Sequence, residues 1–368
     1  MNKIASFVKK EIVMLVSLAL AAISAFFVVP STDYLNYIDF RTLALLLSLM
    51  AIMAGLNRVG VFKLLAERIL GMVNTVFGLT IIFVLLCFFS SMLITNDVAL
   101  ITFVPFTIIT LKMAGQSDKM IYTVILETVA ANLGSMLTPI GNPQNLYLFS
   151  AYNMKLSDFF KIVFPYAILS LILLIIAAFF SGRERVSVSV AYESDKIDVR
   201  LMIMYILLFV LALLSVFRVL HFVVPLTSVL ASVIIFDRRT LVNVDYSLLL
   251  TFLFLFIFIG NLGNIPSISH ILHTVVDGNE VITGIVTSQV FSNVPSAILL
   301  SGFTSNYDML LIGVNLGGLG TIIASMASLI SFKFIQKESV KTFKYLLLFS
   351  AVNIIFLALN ICLWLMIG

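Results

Sequence analysis

Three clusters of small polar residues interrupt otherwise apolar runs of this 368-residue chain. They are Thr95-Asn96-Asp97, the eight residues TPIGNPQN at 138–145, and SNVPS at 292–296. Hydroxyls, amides and unwound carbonyls of this kind suit a hard cation such as sodium. Helix starts made from the same segments offer free N–H groups and a positive dipole end to an anion. The residues expected to contact an anion are Thr95, Asn96, Asn142, Pro143, Asn145, Ser292, Asn293, Pro295, Ser296 and Thr321. Those expected to hold a cation are Thr95, Asn96, Asp97, Thr138, Gly141, Asn293 and Gly320, with sodium expected at Asn96 and Asp97. Asp97 is the sharpest of them, because an ionised Asp at the centre of a membrane costs roughly 2.5–3.5 kcal/mol. A ligand or proton role competes there with simple capping of the helix that follows.

Other polar residues carry two readings each. Glu127 is either a proton carrier or a surface-seeking acid paired with Lys112 or Lys119. Asn132 and Asn315 are either ligands or interhelical hydrogen-bond glue, and Gly317, Gly318 and Gly320 permit close backbone approach or helix packing. His270 and His273 lack a third ligand for a metal. Cys87 and Cys362 lie inside apolar runs without metal or disulfide spacing and read as small buried hydrophobes.

The elements that must position these residues are membrane helices. Hydrophobic residues make up 61% of the chain and charged residues 11%, against about 25% charged in soluble proteins. Apolar runs fit spanning helices at 11–30, 41–57, 119–150, 158–180, 201–219, 222–236, 246–261, 309–333 and 345–366. Two more, 74–112 and 279–303, dip in polarity at their centres and read as re-entrant hairpins; 119–150 and 309–333 read as broken helices. With the N-terminus in the cytoplasm, this topology places eighteen of the 22 Lys and Arg inside and leaves Arg41, Lys155, Lys161 and Arg218 outside. Amphipathic pieces at 60–70 and 265–277 suit the two membrane interfaces. The stretch from Ile12 to Val29 is too long and wrongly ended for a cleaved leader and reads as a retained first helix.

The two halves match. Asp39 and Asp245 each precede a helix, Thr95-Asn96 aligns with Ser292-Asn293, and ANLGSMLT (131–138) aligns with VNLGGLGT (314–321). An extra crossing at 201–219 turns the second copy upside down. The organisation expected is repeat one at 1–180, a linker and connecting helix at 181–221, and inverted repeat two at 222–368. The fold class is all-α integral membrane, with about nine transmembrane helices, two hairpins and two broken helices. Such inverted repeats with broken helices characterise secondary transporters.

The paired hairpins followed by ANLGSMLTPIGNPQN and GVNLGGLGT resemble the ion-transporter superfamily over nearly the whole chain. That group includes divalent-anion/sodium symporters, citrate carriers, arsenite permeases and sodium/proton antiporters. The Gly-x-Pro-x-Asn run at 141–145 is most similar to the citrate-carrier and arsenite-permease branch. The resemblance implies a substrate and cation held between hairpin tips and broken helices, a homodimer, and elevator-type movement in a cell membrane, the inner one in a two-membrane cell. The superfamily's Ser-Asn-Thr signatures are matched in part by Thr95 and Asn96, where Asp97 replaces the Thr, and by Ser292 and Asn293, where Val294 does. The expected partners are a small anion, the lipid bilayer and a second copy. Scattered basic residues exclude a nucleic-acid surface, and no Ser/His, paired-Asp or HExxH arrangement within the spans suggests an enzyme. No cofactor is expected beyond a coupling sodium ion or proton. The topology predicts that single cysteines replacing Ser117 and Ser305 react with an impermeant thiol reagent from opposite sides of the membrane. Labelling of both from one side contradicts it.

Overall fold

The computed structural model describes residues 11–61, 74–185, 198–338 and 342–367. Among these the chain is helical throughout, without a β-strand beyond one isolated bridge between Thr75 and Arg185. The first half contains α1 (Ile12–Ser24), α2 (Phe40–Val59), α3 (Val76–Ile94), α4 (Asn96–Met113), α5 (Met120–Ser135), α6 (Pro143–Ala151) and α7 (Leu156–Ala178). The second contains α8 (Val199–Val216), α9 (Val223–Phe236), α10 (Tyr246–Gly263), α11 (Pro266–Val276), α12 (Glu280–Phe291), α13 (Asn293–Ser301), α14 (Tyr307–Leu316), α15 (Met326–Gln336) and α16 (Thr342–Ile367). Seven described helices are long and apolar enough to cross a membrane. The fold is all-α, and the chain is a multi-pass membrane protein.

Local chemistry explains the helix starts. Asp39 accepts the Thr42 N–H at 3.0 Å to open α2, and Asp245 accepts the Leu248 N–H at 3.1 Å to open α10. The breaks expected within 119–150 and 309–333 are present: α5 stops at Ser135 and α6 starts at Pro143, while α14 stops at Leu316 and α15 starts at Met326. Proline at the first position of α6 suits a helix start, where its missing N–H leaves nothing unpaired.

The two hairpins share one tip geometry. Thr95 joins α3 to α4 at φ 73°, ψ 151°, and Ser292 joins α12 to α13 at φ 73°, ψ 154°. Few non-glycine residues adopt this conformation, at about 1–3 kcal/mol each. The arms differ in length: α3 and α4 have 19 and 18 residues, α12 and α13 have 12 and 9. By length alone the first two would span a bilayer, since 18 residues extend about 27 Å. The tip's location argues otherwise. The Asn96 N–H donates to the Gly141 carbonyl at 3.2 Å, so the first tip stops at the level of the α5–α6 break.

Close packing holds the first hairpin in place. A Cβ on Gly134 of α5 would lie 2.2 Å from the Phe88 carbonyl oxygen of α3. Thr80 and Thr123 hydrogen-bond between the same helices at 3.1 Å. In repeat two, a Cβ on Gly313 of α14 would stand 2.8 Å from backbone atoms of Glu280 and Val281 on α12. Small residues at such crossings are how membrane helices approach without a hydrophobic drive between them.

At one end of the bundle a polar cluster ties α2, α8 and the segment after α9 together. Asp237 is buried and accepts from Arg58 Nε at 3.1 Å, Tyr205 Oη at 2.8 Å and Thr240 Oγ1 at 2.8 Å. Burial alone would raise its carboxyl, but the donors outweigh it and hold the group below the usual carboxylate range. Of the amphipathic pieces, 265–277 forms α11, with Ile268, Ile271 and Val275 exposed and Val276 buried. Most of 60–70 lies outside the described residues. Cys87 is buried as expected, whereas Cys362 is exposed on the apolar surface of α16.

Two outcomes follow. Gly134→Ala should destabilise the protein by about 1–3 kcal/mol through overpacking, read as a lower melting temperature in detergent. Gly263→Ala, where an added Cβ meets nothing within 4 Å, should leave it unchanged. A depressed folded-state pKa contributes stability above the unfolded value of about 3.9 and loses it as pH falls. The stability gap between wild type and Asp237→Asn should therefore be full at pH 7 and shrink below about pH 4, checked by thermal melts across pH.

Candidate functional site

Four helix N-termini meet at one crevice. It is lined by Asn96 and Asp97 from α4, Pro143 and Gln144 from α6, Asn293 and Val294 from α13, and Ser325 and Met326 from α15; Leu248 of α10 completes it. The opening encloses about 240 Å³ of empty space, mouth included. Among the described residues no Lys or Arg lines it. The residues preceding α4, α13 and α15 make no side-chain cap. Although in α4 the Asn96 N–H donates to Gly141 and the Asp97 N–H to the Asn96 side chain, the positive dipole ends of all three helices are directed at the opening.

The four helices form two pairs, α4 against α15 and α6 against α13. The far end of the first pair is fastened by an ion pair between Lys112 and Glu338. The second is fastened by hydroxyls: Tyr152 donates to the carbonyls of Ser301 and Thr304 at 2.9 Å, and Tyr147 bonds the Ser301 hydroxyl at 2.7 Å.

Asparagines join the two halves reciprocally. Asn132 of α5 accepts from Asn96 at 3.1 Å and from Ser325 at 2.9 Å, and its amide reaches the Gly318 carbonyl and Ser328 hydroxyl at 3.5 Å. Asn315 of α14 accepts from Asn142 at 3.3 Å and donates to Asn145 at 2.7 Å. Each half's asparagine therefore secures the other half's break. Side-chain amides also satisfy the freed carbonyls. Asn145 Nδ2 donates to the Met136 and Thr138 carbonyls at 3.1 Å, and Gln289 Nε2 donates to those of Gly317 and Leu319 at 3.0 and 2.9 Å.

Of the residues expected from sequence, Asn96, Asp97, Pro143 and Asn293 line the crevice. Thr95 and Ser292 form the strained tips beside it. Asn142 and Asn145 are buried with their amides engaged in the network, and Asn142 caps α6 by accepting the Asn145 N–H at 2.9 Å. Pro295 and Ser296 are buried in the first turn of α13, where the Ser296 hydroxyl donates to the Ser292 carbonyl. The Thr138 hydroxyl donates to the Met92 carbonyl, and Gly141 lies against the Ser135 carbonyl. Thr321 is exposed outside the crevice, with its N–H on Gln289, and Gly320 lies beside the same side chain at φ 111°.

Asp97 is not a cap: Thr95 occupies that position, and the Asp97 carboxylate accepts no hydrogen bond and forms no ion pair among the described residues. Its first-turn position is one that the dipole favours. Glu127 corrects the surface reading. It is fully buried, and Lys112 and Lys119 pair instead with Glu338 and with Asp118 and Glu184.

Sequence reasoning missed Gln144, Ser325 and Gln289. Gln144 is 1% exposed, and its amide oxygen has no partner although it borders the crevice. A signal existed in TPIGNPQN: once Asn142 is spent capping α6, the free amide of its first turn is Gln144. Ser325 also had a signal: the alignment of 131–138 with 314–321 places it opposite Asn142, and each immediately precedes the helix that follows its break.

Comparison with known proteins agrees with this architecture. The model of the citrate transporter family matches residues 4–309. An uncharacterized transporter of Methanocaldococcus jannaschii is 33% identical over 325 residues, covering 87% of this chain and 88% of that protein. The inner membrane protein YbiR of Escherichia coli is 32% identical over 301 residues, 80% of each chain. Over 137 residues, 36% of this chain and 26% of the other, the silicon efflux transporter LSI3 of Oryza sativa subsp. japonica is 32% identical. The chain belongs to the citrate transporter family, in the superfamily of citrate carriers and arsenite permeases, and is a membrane transporter.

Proposed function

We propose that the protein is a secondary active transporter of a small anion, an organic acid or an inorganic oxyanion, coupled to sodium or protons. The carrying observation is the meeting of four helix N-termini at a crevice without Lys or Arg. Free N–H groups and dipole ends attract an anion there. Asp97 supplies the one carboxylate, suited to a cation or proton that offsets the charge of the load. Amide N–H groups of Asn96, Asn293 and Gln144 orient the anion by donating hydrogen bonds, and Ser325 closes the opposite side. Because Val294 replaces a polar residue at the second tip, cation binding belongs to the first tip.

The matched tips and reciprocal asparagines support reading 1–180 and 222–368 as inverted repeats around this site. Alternating access then follows from the four-helix unit moving as an elevator against α2, α8, α9 and α10. We further infer a homodimer in the cell membrane, the inner one in a two-membrane cell, with the N-terminus cytoplasmic; the uneven Lys and Arg distribution supports that orientation. A second reading, efflux of a compact oxyanion such as arsenite, uses the same crevice. Under a third, Asp97 exchanges sodium for protons without an anion.

The deciding experiment is uptake into proteoliposomes across organic acids and inorganic oxyanions, with imposed sodium or proton gradients. Accumulation of none of these solutes, with no sodium/proton exchange, contradicts all three readings. Asp97→Asn should lose gradient dependence while the protein still folds, and Val294→Asn should change far less. Normal gradient-driven uptake by Asp97→Asn would remove the residue from the coupling site. Gln144→Leu should weaken binding of the transported anion roughly 10-fold or more, the loss expected for one hydrogen bond to a charged group. Unchanged half-saturation would place Gln144 outside the anion site.

A further inference from the structure

A fully buried acid lies away from the crevice and the transport reading does not use it. Glu127, at the middle of α5, is fully buried. One carboxyl oxygen accepts from the Thr107 hydroxyl of α4 at 2.5 Å and from the Cys87 thiol of α3 at 3.8 Å. The other oxygen is buried with no partner. The Tyr345 hydroxyl of α16, also buried, lies beside Thr128 and within electrostatic reach of Glu127.

Among the described residues no positive charge answers this carboxyl. From α3 it faces Cys87 and from α4 Thr107, while Lys112 at the end of α4 is paired with Glu338. From α15 the neighbouring turn of α5 meets Ser331, which accepts from Thr128 at 2.7 Å, and Lys333 is exposed. From α16 it faces Tyr345, and Lys344 is exposed. The charged residues of α7, Asp158 and Lys161, lie in that helix's first turns. The far end of α7 is the one that meets the start of α5, through the Tyr122–Ala177 hydrogen bond. Asp308 of α14 is in the first turn of its helix. An ionised carboxylate in apolar surroundings with only neutral donors is far costlier than the neutral acid.

We propose that Glu127 is a proton-binding site, separate from Asp97, that keeps its proton in a dry pocket between α3, α4, α5 and α16. Thr107 lies on the helix whose first turn lines the crevice, so α4 must shift before water reaches this proton. Exchange of the proton is thereby tied to movement of the first hairpin. The site itself depends on no choice of transported solute.

The test uses the full chain in lipid bilayers at neutral pH and reads the infrared carbonyl stretch of protonated carboxylic acids. Wild type and Asp97→Asn should both show a band that shifts slowly after transfer to D2O, and Glu127→Gln should lack it. No such band in wild type, or a band unchanged in Glu127→Gln, overturns the proposal. If Glu127→Gln does not fold, wild type alone decides through dicyclohexylcarbodiimide, which adds to protonated acids in apolar sites. An adduct mapped to Glu127 supports the proton site, and an unmodified Glu127 overturns it.

Discussion

Backbone groups freed by a broken helix must find partners, because lipid offers none. The rest of this structure depends on that constraint. At the two breaks, Asn145 and Gln289 donate to the loosened carbonyls, and Asn132 and Asn315 fasten each break to the opposite half. Once the carbonyl ends are satisfied, the N-terminal ends remain, and these border the crevice. Polarity is thus sorted. Most amide donors and carbonyl acceptors are consumed within the scaffold, while helix N-termini and the unpaired Asp97 carboxylate face the opening.

The same sorting explains why an anion site needs no lysine or arginine. A buried cation would require its own counter-charge during the unloaded half of a transport cycle. Helix ends carry only partial charge, held in place by the helix itself, and they need none. The strained tips at Thr95 and Ser292 serve this arrangement by turning the chain sharply enough to start α4 and α13 at the crevice. The far ends of the helix pairs are fastened differently, by one ion pair and by tyrosine hydroxyls, so the two halves are matched at the centre and distinct at their ends.

Much of this was legible in the sequence. Periodicity, charge and the polar dips at 95–97 and 292–296 located the hairpins, and matched Asp39 and Asp245 located two helix starts. Residue types at the breaks were also legible, but not their division of labour. Asn142 and Asn145 look like ligands in a string of letters, and only three-dimensional proximity to Ser135 and Asn315 reveals that their amides are spent on structure. Gln144 looked incidental for the converse reason. Glu127 had the spacing of an interfacial acid, and its burial followed from helices that meet it only after folding.

The central claim is that the transported anion occupies the crevice between the four helix ends. Protection of a cysteine introduced at Ser325 tests it most directly, with Ser117→Cys, exposed outside the crevice, as the reference. In proteoliposomes, a small water-soluble thiol reagent should modify Ser325→Cys more slowly as the transported anion is added, while modification of Ser117→Cys stays constant. Equal modification of Ser325→Cys with and without a saturating transported anion would contradict the account.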